Sequence, residues 1–95
     1  NSDNIIVGNG IVEQTEKALT NLLTALEAAG GNPSQLGKLT IYCVDPIDYR
    51  ANSRAIGAVW KRLVGREYPA MTLVGVTRLW DDDALVEIEG IAILP

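Results

Sequence analysis

Glu87 and Glu89 are two residues apart inside the most apolar stretch of the chain, Ala84 to Leu94. Side chains two apart on a β-strand share a face, so Leu85, Glu87, Glu89, Ile91 and Ile93 point one way and Ala84, Val86, Ile88, Gly90, Ala92 and Leu94 the other. The second face is purely apolar. The first mixes carboxylates with isoleucines, which predicts a subunit contact or a pocket rather than a face left to water. The chain has no histidine and a single cysteine, Cys43, which excludes the usual zinc constellations, His-based triads and an internal disulfide. Any chemistry therefore falls to carboxylates, hydroxyls, backbone amides or bound water, and neither a metal nor a cofactor is expected.

Each of these residues also has an ordinary reading. Glu87 can be a rim carboxylate paired with Arg78 or a lysine, and Glu89 a structural residue in a salt bridge to a neighbouring subunit. Cys43 suits a small buried hydrophobe, since apolar burial raises a thiol's pKa and leaves it inert. Asp81-Asp82-Asp83 offers oxygen ligands but lacks the alternate spacing and glycine of a calcium loop, so a solvated turn is expected. Thr72 can donate its hydroxyl to a ligand or satisfy a nearby backbone group.

The elements that must position these residues follow from periodicity. Asn4 to Val7 reads as a short strand ending at Gly8-Asn9-Gly10. From Ile11, apolar residues at Val12, Leu19, Leu22, Leu23, Leu26 and Ala29 keep helical spacing up to Gly30-Gly31. Leu39 to Val44 alternates as a strand ending at Asp45-Pro46. Asp45 or Asp48 caps a second helix, whose stripe runs through Tyr49, Ala55, Ile56, Val59, Trp60, Leu63 and Val64. Strands Met71 to Leu79 and Ala84 to Leu94 are joined by Trp80 to Asp83 as a hairpin, which pairs Val76 with Glu87 and Val74 with Glu89. The order is β-α-β-α-β-β, with both helices on one face of the sheet and Thr72, Val74, Val76 and Arg78 on the other with Glu87 and Glu89.

Ninety-five residues with 47% hydrophobic content make a single domain over residues 1–95, near the small end of what buries a sufficient core, so assembly is expected to help it. A net charge of −4 argues against broad nucleic-acid binding, which relies on Lys and Arg meeting phosphates. No apolar run approaches the roughly 20 residues that span a bilayer, and the Asn-Ser-Asp start does not resemble a signal peptide. A soluble cytoplasmic protein is expected.

The segment Pro69-Ala70-Met71-Thr72-Leu73-Val74-Gly75-Val76-Thr77-Arg78-Leu79, followed after six residues by Val86-Glu87-Ile88, resembles the C-terminal signature of the RidA/YjgF family of reactive-intermediate deaminases. Leu26-Glu27-Ala28-Ala29-Gly30-Gly31, the strand running into Asp45, and the helix entered through Asp48-Tyr49 are similar in order and spacing. The resemblance implies a chorismate-mutase-like α/β (α+β) fold and a homotrimer with small-molecule sites in clefts between subunits. It also implies hydrolysis of enamines and imines derived from amino acids to 2-oxo acids and ammonia. In that pattern Glu87 positions the attacking water, the Leu73 amide contacts the substrate, and Tyr49 matches an aromatic lining the cleft in some relatives, so a substrate pocket built around Met71, Thr72, the Leu73 amide and Glu87 is expected.

Two departures modify the implication. The family's carboxylate-anchoring arginine falls on Met71, and a thioether cannot make the forked, charge-assisted pair a carboxylate wants. Losing one partner of such a buried pair costs about 2–5 kcal/mol. Arg78 cannot replace it, because seven residues along a strand is about 23 Å and an odd step that reverses the face. The same parity sets Met71 and Glu87 on opposite faces unless a bulge lies near Thr72 or Met71 precedes the regular strand. Relatives also begin with a β-hairpin that adds to the sheet, and the resemblance places the start of this chain after it, leaving an edge open to pairing. The resemblance therefore implies either a deaminase-type enzyme with altered substrate preference or a non-catalytic metabolite-binding or regulatory trimer. A third reading, endoribonuclease or translation inhibitor, sits poorly with the acidic balance.

Overall fold

The computed structural model describes residues 10–66 and 68–94. The strand expected at Asn4 to Val7 and its Gly8-Asn9 turn lie outside them. Helix α1 (Ile11–Ala28) is followed by a 3-10 turn (Pro33–Gln35), strand β1 (Leu36–Cys43), helices α2 (Pro46–Ala51) and α3 (Ser53–Leu63), and strands β2 (Ala70–Gly75) and β3 (Val86–Ala92). The helices cover one face of a three-stranded sheet, giving the α+β class that the element order predicts.

Local chemistry explains the boundaries. The first helix stops where Gly30 turns to φ +90°, a conformation that costs other residues a steric clash, and the amides of Gly30 and Gly31 bond back to Glu27 and Leu26. Asn32 then starts the 3-10 turn with a reciprocal cap, accepting from the Ser34 amide while Gln35 accepts from its own. The second helix departs from expectation by splitting. Asp45 caps α2 by accepting from the Asp48 amide at 3.1 Å, with Pro46 in the first turn. Asn52 then interrupts it: the side chain donates to the Asp48 carbonyl at 2.9 Å and to its carboxylate at 3.0 Å. A short amide that binds the backbone in this way competes with the helical ladder.

The strand order is β2-β1-β3, with β1 parallel to β2 and antiparallel to β3. This corrects the hairpin expected between the last two strands, because β1 lies between them. The central position suits β1, whose Leu39, Ile41 and Cys43 are buried at 0, 5 and 0% exposure and are covered by a strand on either side. Residues 76–85 are thus a connection passing the end of β1. There Val76 N–H bonds the Cys43 carbonyl and Val44 N–H bonds the Leu85 carbonyl, each at 3.0 Å. Thr77, Arg78 and Leu79, expected in a strand, belong to this connection.

Two apolar clusters fill the space between sheet and helices. Leu19 and Leu26 of α1, Leu36 and Leu39 of β1, and Val59 and Trp60 of α3 form one; Ile11, Ile41, Cys43, Ile56 and Val86 form the other. Burying each large aliphatic side chain contributes about 1.5–3 kcal/mol. A 2.8 Å ion pair between Arg62 and Glu16 links α3 to α1 at the surface. Gly90 lets β3 approach this core closely, since a Cβ there would lie 2.9 Å from Leu39 and 3.1 Å from Leu22. No described helix is long and apolar enough to cross a membrane.

Candidate functional site

Registered neighbours in a sheet share a face, so the pairing shows what surrounds the two glutamates. On the face away from the helices, Val74, Tyr42 and Glu87 form one row across β2, β1 and β3, and Thr72, Thr40 and Glu89 form the next. A third row holds Ala70, Lys38 and Ile91. The expected facing of Thr72, Val74, Glu87 and Glu89 is therefore present, but with the residues of β1 between the two pairs, whereas Val76 and Arg78, expected on the same face, lie beyond the end of β2. Val74 and Ile91 are apolar side chains left 36% and 57% exposed on this face.

Tyr42 is the residue that reading the sequence missed. Its hydroxyl donates to Glu89 Oε1 at 3.2 Å. This hydrogen bond, together with the negative charge of Glu89 and then of Glu87, raises the phenol above its ordinary pKa of 10.0 and keeps it a neutral donor. The signal was available in the alternation of β1, which turns Tyr42 and Thr40 away from buried Leu39, Ile41 and Cys43. Glu89 thus has an intrachain structural role as an acceptor. Glu87 also borders a groove of about 310 Å³ beside β3, lined by Ala18, Asn21, Leu22, Val86 and Ile88.

The other residues singled out by sequence lie elsewhere in the chain. Met71 registers with Leu39, and Leu73 with Ile41, on the helix side of the edge strand, where they remain 45% and 40% exposed. Met71 is within regular β2, and the β1–β2 register runs without a break from Lys38–Ala70 to Cys43–Gly75, so neither a bulge nor an early strand start brings it round to Glu87. The irregularity in the sheet falls between Leu36 and Lys38 against β3. Tyr49 packs beneath the sheet against the cluster around Ile41 and Cys43, and burial pushes its phenol upward. Burial likewise raises the Cys43 thiol, which is 0% exposed. Arg78, offered as a partner for Glu87, pairs with Asp82 instead. Asp81 accepts from the Asp83 amide at 2.9 Å, and among the described residues no cluster of three or more metal-ligating side chains occurs.

The face can thus hold a water or an amine at a carboxylate next to a protonated phenol.

Residues 1–94 match the family described as endoribonuclease L-PSP. The chain is 38% identical, over 93% of its length, to RutC family protein UK114 of Drosophila melanogaster, covering 60% of that protein. It is 33% identical over 93% of its length to the 2-iminobutanoate/2-iminopropanoate deaminase of Capra hircus, covering 61% of that protein. The crystal structure of the YjgF gene product from Escherichia coli superposes with a TM-score of 0.79 at 29% identity, over 92% of this chain and 67% of that one. The chain therefore spans about three-fifths of the length of these curated relatives.

Proposed function

Because the chain belongs to the endoribonuclease L-PSP family, the RidA/YjgF proteins, we propose that it forms a homotrimer whose inter-subunit clefts bind a small imine or enamine and hydrolyse it. The observation that carries this reading is the face bearing Glu87 beside Tyr42 and Glu89, flanked by exposed Val74 and Ile91. Covering those apolar side chains with a second copy would enclose the carboxylate and strengthen every polar contact it makes. Met71, Leu73 and Tyr49 lie on the other side of the sheet or beneath it. A site that combines them with Glu87 would draw on more than one copy.

In the proposed reaction Glu87 holds a water and takes one of its protons as the oxygen adds to the C=N carbon. That proton passes from Glu87 to the nitrogen to complete a carbinolamine, whose hydroxyl proton then follows through Glu87 to the same nitrogen as the C–N bond breaks, and ammonia leaves behind a carbonyl product. An enamine enters the same route after tautomerising to the imine. Met71 at the arginine position offers no charge to a substrate carboxylate, so the preferred substrate lacks one at that point.

The test is ammonia release from freshly generated 2-iminopropanoate and from an imine without a carboxylate, using the parent protein and Glu87→Gln. Turnover of the uncharged imine that Glu87→Gln reduces at least a hundredfold is expected, a loss typical of removing a general base. Equal turnover by both proteins, or a single-chain mass in light scattering, overturns the reading. Thermal stabilisation by the imine without turnover would assign the cleft to ligand binding alone.

A further inference from the structure

Gln14 is a buried polar side chain for which the proposed hydrolysis has no use. It lies on α1, is 7% exposed, and uses both ends of its amide on one distant segment. Nε2 donates to the Asp83 carbonyl at 3.1 Å, and Oε1 accepts from the Leu85 amide at 2.7 Å. The Leu85 carbonyl in turn accepts from Val44 N–H at 3.0 Å. The residue two before Glu87 is therefore gripped from α1 on one side and from the end of β1 on the other.

The strand needs such an anchor because its own pattern is degenerate. Val86, Ile88, Gly90 and Ala92 are all small or apolar on the inner face, while Glu87 and Glu89 repeat on the outer one. A slip of one residue would bury glutamates and is strongly opposed. A slip of two would keep both faces correct and merely exchange one carboxylate for another opposite Tyr42. Gly90, beneath Leu22 and Leu39, resists that slip in the middle of β3. Gln14 resists it where the strand begins.

We propose that Gln14 is a positioning residue for Glu87, fixing which carboxylate stands opposite Tyr42 and how far it projects into the cleft. This rests on the reading of Glu87 as the water-holding carboxylate. The test compares Gln14→Met, which keeps the length of the side chain but makes neither hydrogen bond, with the parent protein. One readout needs no substrate: the phenol of Tyr42, assigned by comparison with Tyr42→Phe, should titrate at a different pH in Gln14→Met, because the placement of the carboxylates facing it changes.

The second readout is imine hydrolysis. Gln14→Met should lower kcat on the order of a hundredfold with KM little changed, the size of loss that a misplacement of about 1 Å produces. The same substitution should cost nothing further in Glu87→Gln. If Gln14→Met does not fold, Gln14→Glu, which retains an acceptor for Leu85 N–H but no donor for Asp83, is measured by the same readouts. An unchanged Tyr42 titration, or a kcat loss that persists undiminished in Glu87→Gln, overturns the assignment. A parent protein without imine turnover overturns the proposed hydrolysis, and the Tyr42 titration then decides the role of Gln14.

Discussion

Gly90→Ala probes how tightly β3 is drawn against the helical layer. A Cβ at this position would lie 2.9 Å from Cδ2 of Leu39 and 3.1 and 3.3 Å from the two terminal carbons of Leu22. Carbons at rest are about 3.5–4.0 Å apart, so the first contact is strongly repulsive and the other two moderately so. Leu22 is half-buried and can turn aside. Leu39 cannot do so easily: it is 0% exposed and sits opposite Gly90 on the central strand, so moving it disturbs both neighbouring strands. Overpacking of this kind costs about 1–3 kcal/mol. Replacing glycine returns about 0.5–1 kcal/mol by restricting the unfolded chain. The net loss should be roughly 0.5–2 kcal/mol, equivalent to a fall in Tm of roughly 2–15 °C for a chain of this length. Urea unfolding at fixed chain concentration should show a lower midpoint with an unchanged m-value. Stability equal to the parent's would show that Leu39 yields freely, and would refute the close approach of β3 on which the register reasoning depends.

Alkaline pH should destabilise the protein through its tyrosines. The folded pKa values of Tyr42, raised by its hydrogen bond to Glu89, and of Tyr49, raised by burial, exceed those of the unfolded chain. Their contribution is therefore complete below about pH 10 and is lost as pH rises through the folded values. Urea midpoints measured from neutral to strongly alkaline pH should fall in that window, and Tyr49→Phe should shallow the fall; an identical slope would show that burial of this phenol carries no linkage. Cys43, fully buried and with its thiol pushed up by desolvation, should react with an aromatic disulfide reagent no faster than the chain opens. Immediate labelling of the native protein would contradict its place in the core.

The carboxylate pair and its facing could be read from the chain because a strand has a period of two, which sets Val86, Ile88 and Ala92 on one face of β3 and both glutamates, with Ile91, on the other. The same rule placed Thr72 and Val74 on the glutamates' face and Met71 on the other. Tyr42 escaped notice for a topological reason. With β2 set directly beside β3, no row remained for a third residue between Val74 and a glutamate, so the phenol that bonds Glu89 had no place near the site. Asn52 escaped for a local one: a polar residue in an amphipathic stripe is ordinarily just exposed, and only the distances to Asp48 show that it breaks the helix.

The order of the strands was the larger omission, and it arises where local and long-range preferences conflict. Trp80 to Asp83 between two apolar runs satisfies the chemistry of a tight turn, so short-range reasoning favours a hairpin. Against it stands the burial of Leu39 and Cys43, which a strand at the edge of a small sheet could not achieve so fully. Centring β1 obliges the chain to pass over that strand's end, and the polar groups along the passage are satisfied there. Gln14 takes Asp83 and Leu85, Cys43 and Val44 take Val76 and Leu85, and Arg78 pairs with Asp82. Arg78 is thereby engaged within the connection, so among the described residues Glu87 lacks the basic partner that its sequence neighbourhood offered.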